Sequence, residues 1–190
     1  MKRFVIGIAL LAVLVLAPSA QAQTGLSFDS VQIQLWPEYD RPSMLVIYTF
    51  QISSDASFPV EFTARIPARA GEPTAVAVLQ GDQLVTSDYT RTASGDWAEI
   101  TVLTDFPVVQ LEYYDPALSQ ADQPREFQFN WDFDYPITDL TVSVKQPLNA
   151  TEMVILPPLG AAQIAADGLS TYTASLGGLP AGESFALELS

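Results

Sequence analysis

The chain contains neither cysteine nor histidine. Without thiols there is no disulfide, no thiolate metal site and no cysteine nucleophile. Without imidazole there is no Ser-His-Asp triad. Cations are scarce as well, with 8 Lys+Arg against 22 Asp+Glu in 190 residues. A surface so acidic repels nucleic acid and anionic membranes. No G-x-x-x-x-G-K or G-x-G-x-x-G stretch is present to cradle phosphates. A Ser-Lys arrangement would rest on Lys145, which no S-x-x-K motif accompanies. These absences together point away from an enzyme.

The first residues set an address. Met1-Lys2-Arg3 is a short cationic start, Phe4 to Ala17 is an uncharged apolar run, and Ala20 and Ala22 stand as an A-x-A cleavage site. A span across a bilayer needs about 20 apolar residues, more than this run supplies. Residues 1–22 are therefore read as a signal peptide cut between Ala22 and Gln23. Lys2 and Arg3 leave with it, so that six cations face 22 carboxylates, a balance of −16. With no cysteine after the cleavage site, the protein is expected to be exported to a periplasm or the outside, soluble, and not a lipoprotein. An outer-membrane barrel is disfavoured, because Pro59, Pro107 and Pro136 interrupt the unbroken strands of about 9–11 residues it needs.

What the remainder has is a period of two. Val31, Ile33 and Leu35 alternate with Gln32 and Gln34; Phe58 to Ile66 and Phe185 to Leu189 alternate in the same way. Such spacing places the apolar residues on one face of a strand. Met44 to Ile52 is apolar on both faces over part of its length, as expected of a central strand covered at one end. Between the runs stand Gly71-Glu72-Pro73, Gly81-Asp82, Gly95-Asp96, Asp115-Pro116, Pro157-Pro158 and Gly177-Gly178, which end strands. About eleven short strands with turns every 8–12 residues or so predict an all-β fold, an antiparallel β-sandwich of immunoglobulin-like or jelly-roll-like kind. At most one short helical turn is expected, over 159–166. Residues 23–190 read as one domain, with 115–125, the longest polar connection, as the seam if there are two. With 48% hydrophobic and 16% charged residues, disorder is not expected.

The run from Glu126 to Pro136 carries five aromatics, Phe127, Phe129, Trp131, Phe133 and Tyr135, alternating with Glu126, Gln128, Asn130, Asp132 and Asp134. Aromatics at a burial period are ordinarily core. A carbohydrate-binding surface uses the same vocabulary, rings for sugar faces and carboxylates or amides for hydroxyls. Its candidate residues are Trp36, Tyr39, Trp131, Tyr135, Asp132 and Asp134. Glu38, Asp40 and Asp115 fall in loops or at strand ends and are the candidates for a calcium site, although no D-x-D-x-D-G loop is present. A pair of carboxylates could also serve a small glycoside-acting enzyme. No cofactor other than calcium comes into question. Asn149-Ala150-Thr151 has the form of a glycosylation acceptor and reads as turn chemistry after Pro147.

The stretch from Tyr172 to Leu189, with Leu179-Pro180-Ala181-Gly182-Glu183 before an alternating last strand, resembles the closing hairpin of bacterial exported immunoglobulin-like or fibronectin type III-like modules. The resemblance implies a binding, spacing or adhesion module rather than a catalyst. The expectation is thus an exported, non-catalytic interaction or structural module at the cell envelope. Its partner would be a protein or a polysaccharide, not nucleic acid, and it would have no stable membrane insertion after processing.

Overall fold

The computed structural model describes residues 25–118, 125–148 and 150–190. The expected signal peptide with its expected cut between Ala22 and Gln23, Asn149, and most of the 115–125 connection lie outside them. The described residues form fourteen strands: β1 (Phe28–Pro37), β2 (Met44–Ile52), β3 (Val60–Pro67), β4 (Ala75–Gln80), β5 (Gln83–Thr86), β6 (Thr90–Ser94), β7 (Trp97–Thr104), β8 (Val108–Asp115), β9 (Phe127–Asp132), β10 (Ile137–Lys145), β11 (Ile155–Leu156), β12 (Gln163–Ile164), β13 (Ser170–Leu179) and β14 (Ser184–Leu189). The fold is all-β.

Eight strands make one sheet in the order β12-β13-β10-β1-β2-β8-β4-β5. All its neighbours are antiparallel except β1 and β10, which run parallel with Gln34 level with Ser143. Two three-stranded antiparallel sheets, β11-β14-β9 and β3-β7-β6, cover one face of it. Alternation decides which side chains meet between the layers. Val31, Ile33 and Leu35 of β1, Leu140, Val142 and Val144 of β10, and Phe62, Ala64 and Ile66 of β3 are all buried in one continuous apolar cluster. Strand β2 lies inside the large sheet, and its first five residues are buried whichever face they take. This matches the double-sided pattern read for it.

The small sheets meet along β3 and β9 without a backbone ladder. Side chains bridge the gap instead: the Thr63 N–H donates to the Tyr135 hydroxyl at 3.2 Å, and the Arg65 guanidinium forks onto Asp134, its Nη1 2.9 Å from Oδ1.

Residues 159–166, where at most one helical turn was expected, contain none: Gly160 takes φ 92°, and Gln163–Ile164 instead pairs with Ser170 and Thr171. The single helical turn among the described residues is a 3-10 turn at Ala68–Ala70. The Tyr172–Leu189 stretch is not a hairpin either, because β13 pairs with β10 in the large sheet and β14 with β9 in a small one. The turn at Gly182 (φ 78°), whose N–H donates to the Phe133 carbonyl at 2.9 Å, carries the chain from one layer to the other. Among the described residues, no helix is long and apolar enough to cross a membrane.

Candidate functional site

The aromatic run of β9 points inward. Phe127, Phe129, Trp131 and Phe133 are buried, and Trp131 has no exposed surface. Its ring stacks on Phe133 at 5.2 Å and meets Tyr48 edge-on. Phe133 in turn stacks on Phe50. Such contacts contribute about 0.5–1.5 kcal/mol per pair beyond simple burial. Trp131 therefore presents no ring to a sugar, and a platform along this strand is ruled out by its phase. Tyr135 is half-buried against Phe28 and Phe133, with its hydroxyl at the β3–β9 gap. Burial pushes its phenol up. Asp134 is held by Arg65, so both serve the junction between sheets, and Asp132 stands half-buried at the end of β9.

The three loop carboxylates do not converge. Glu38, in a left-handed backbone conformation (φ 49°), pairs with Arg125 at 3.0 Å. Asp40 accepts the Tyr114 hydroxyl at 2.7 Å. Asp115 is only 1% exposed; its two oxygens accept Arg69 Nε and Nη2 at 2.8 Å each, and the Ala117 N–H donates to it at 2.9 Å. This fork also holds the Arg69 guanidinium above its ordinary pKa. Each acid thus has a separate partner, and no three such groups cluster among the described residues.

The polar side chains of β1, β10 and β13 form a different surface, on the face of the large sheet turned away from the core. Strand register sets it: Gln34 lies beside Ser143, and Ser143 beside Thr173. One step further, Gln32 lies beside Thr141, and Thr141 beside Ser175. Neighbouring strands are about 4.8 Å apart, so these groups form a close lattice. They floor a shallow trough of about 320 Å³, whose lining includes Gln32, Gln34, Trp36, Ser143, Thr171 and Thr173. Gln32, Gln34, Ser143 and Thr173 make no side-chain hydrogen bond to any described residue. Thr171 Oγ1 is buried without a partner.

Trp36 and Lys145 close one end. The Lys145 ammonium sits 3.6 Å from the centre of the Trp36 ring and donates to Asp167 at 2.8 Å. That hydrogen bond, aided by the Leu169 N–H, holds the Asp167 carboxyl below its ordinary value. The Tyr39 ring leans on Trp36 at 4.8 Å and is 56% exposed. Of the residues first considered for sugar binding, the fold thus brings Trp36 and Tyr39 together, and places Trp131, Asp132, Tyr135 and Asp134 elsewhere. The trough residues were passed over because alternate polar positions read simply as a solvent side. The run of amides and hydroxyls at those positions was the available signal. At the other end Asp139 accepts Ser175 at 2.7 Å and Thr141 at 3.4 Å.

A second hollow of about 230 Å³ lies against β9, β11 and β14, with Glu126 and Glu188 in its lining. The two hollows differ in chemistry: one is acidic, the other lined by amides and hydroxyls.

Neither a protein-family model nor a curated protein matches the chain. Among solved structures, native leukotriene A4 hydrolase from Saccharomyces cerevisiae is similar over 86% of this chain and 28% of its own, with a TM-score of 0.50 and 8% identity. A provisionally named protease from Parabacteroides distasonis is similar over 86% of this chain and 40% of its own, with a TM-score of 0.45 and 10% identity. The chain therefore spans well under half the length of either protein. At such identity, the likeness to the yeast structure is one of fold alone.

Proposed function

We propose that this protein is an exported, non-catalytic β-sandwich module of the cell envelope that works by binding, through the outer face of its eight-stranded sheet. The observation that carries this reading is the concentration of uncommitted hydrogen-bonding groups there. Gln32, Gln34, Ser143, Thr171 and Thr173 share one trough and lack partners within the described chain. Several carboxylates that chemistry would require are engaged structurally, Asp115 by Arg69 and Asp134 by Arg65. The export address rests on the Lys2-Arg3 start, the apolar run and the Ala20-x-Ala22 site.

The test has two arms. The precursor, expressed in a bacterial host, should appear outside the cytoplasm as a chain beginning at Gln23. The processed protein should co-sediment with isolated cell envelopes, and Gln34→Ala/Ser143→Ala should reduce that binding. Retention of the uncut precursor in the cytoplasm, or no association with envelopes, would overturn the reading.

A further inference from the structure

We propose that the trough binds a neutral glycan segment of one or two sugar residues through its amides and hydroxyls, an inference that rests on the binding-module reading above. The size fits, since about 320 Å³ is at the small end of ligand sites. The chemistry narrows the class. Glutamine, serine and threonine each both donate and accept. A lattice of them complements a ligand with a hydroxyl on nearly every carbon, since each hydroxyl also does both. An anion would want donors and positive potential. The one cation in the lining, Lys145, is already matched by Asp167 at 2.8 Å and lies over the Trp36 ring.

Charge argues the same way. No carboxylate lines the trough, although the chain carries 22 of them and the second hollow includes two. The nearest acids, Asp167 on Lys145 and Asp139 on Thr141 and Ser175, stand at the two ends of the surface and are bonded there. An acidic polysaccharide would still meet the long-range repulsion of the whole molecule.

Strand addition needs an open sheet edge. Over β1 and β10, which are interior strands with β2 and β13 on their far sides, no such edge exists, and a ligand seated there must bind side chains alone. The lining strand β13 is paired on its outer side only at Ser170 and Thr171.

The experiment uses the processed protein in native gels containing dextran, glucomannan, xyloglucan or mixed-linkage β-glucan, with polygalacturonate as the anionic comparison. At least one neutral polymer should retard the protein, and polygalacturonate should not. Gln34→Ala/Ser143→Ala should weaken the retardation at least tenfold, while Gln128→Ala, in the second hollow, should leave it unchanged. Both trough side chains face outward without internal hydrogen bonds, so the variant is expected to fold, which circular dichroism checks. Retardation by no neutral polymer, or equal retardation of wild type and trough variant, would overturn the proposal. A parallel arm separates this failure from that of the parent reading. Envelope binding that survives periodate oxidation of vicinal diols but not protease treatment would indicate a protein partner, removing the glycan and leaving the module. No envelope binding at all would remove both.

Discussion

The hydroxyls of Tyr48 on β2 and Tyr113 on β8 lie 2.8 Å apart in the apolar interior, each with no exposed surface. They are each other's hydrogen-bonding partner. Removing one strands the other, since a buried polar group without a partner costs about 1–3 kcal/mol. Tyr48→Phe and Tyr113→Phe should therefore each lower stability by about that amount. The double variant, losing both hydroxyls together, should be less destabilised than the sum of the two. A double-mutant cycle on urea midpoints measures this coupling, expected at about 0.5–3 kcal/mol. Strict additivity would mean that the two hydroxyls do not depend on one another.

The same pair makes the fold sensitive to alkali. Burial, foremost, pushes both phenols well up from their ordinary value, and the charge of Asp115 adds to it. A group whose pKa is higher in the folded than in the unfolded chain contributes fully below its unfolded pKa, here about 10. That contribution is lost as pH rises above this value toward the folded pKa, because the unfolded chain then binds fewer protons. Phenolate absorbance should show Tyr48 and Tyr113 ionising only as the protein unfolds. Titration of all seven tyrosines with tertiary structure intact would contradict the packing.

Trp131 gives a third test. Its ring is wholly buried and its Nε1–H lacks a partner. In a Trp36→Phe/Trp97→Phe background, its fluorescence should be blue-shifted and resist acrylamide until the protein unfolds. Trp131→Ala should cost about 3–5 kcal/mol, as for other large core aromatics. Trp131→Phe should cost less, since the smaller ring leaves a cavity but also removes the orphaned donor. A strongly quenched Trp131 would mean that β9 presents its aromatic face to solvent.

The phase of β9 was legible because period-two spacing is a local property: alternating Phe127, Phe129 and Trp131 with Gln128 and Asn130 leaves one dry face. Strand β2 could be read in the same way, from apolar residues on both its faces. The trough could not. Gln34, Ser143 and Thr173 come from three strands far apart in sequence, and their meeting depends on the parallel β1–β10 pairing, which no local pattern encodes. Residues 159–166, limited to at most one helical turn, form none for a related reason. Their alanines favour helix, yet Gly160 is left-handed and Gln163–Ile164 finds a strand to pair with, so tertiary context overrides propensity. The acidic loops misled by composition alone, since in so acidic a chain carboxylates near strand ends are commonplace.

Lys145 and Lys2 are the two lysines of the sequence, and Lys145 is the one among the described residues. Its side chain is 12% exposed, packed over Trp36 and bonded to Asp167. Amine-directed acylation needs an accessible amine, and these contacts shield it. In the folded protein Lys145 should react severalfold more slowly than in urea, and Asp167→Asn should speed its reaction. Peptide mass spectrometry reads both rates. Acylation as fast in the native protein as in the denatured one would show that the ammonium is not held at the end of the trough.

Two arginine forks that look alike on paper should behave differently. Arg65 grips Asp134, whose side chain is 53% exposed, whereas Arg69 grips Asp115, which is 1% exposed. An exposed pair contributes at most about 1 kcal/mol, because water serves Asp134 nearly as well when the arginine is gone. Asp115 has no such recourse: once Arg69 is removed, its buried charge keeps only the Ala117 N–H as a described donor. Leaving a buried charge unpaired costs about 3–5 kcal/mol when both partners are dry. Half of the Arg69 side chain is solvated, which lowers the expectation to about 1–3 kcal/mol. Arg69→Ala should thus be clearly more destabilising than Arg65→Ala in chemical denaturation. Adding salt should narrow the gap little, since a buried carboxylate is poorly screened. Equal losses for the two variants would mean that water reaches Asp115. In either background a calcium chelator should leave the melting temperature unchanged, because Glu38, Asp40 and Asp115 are each bound to a different group.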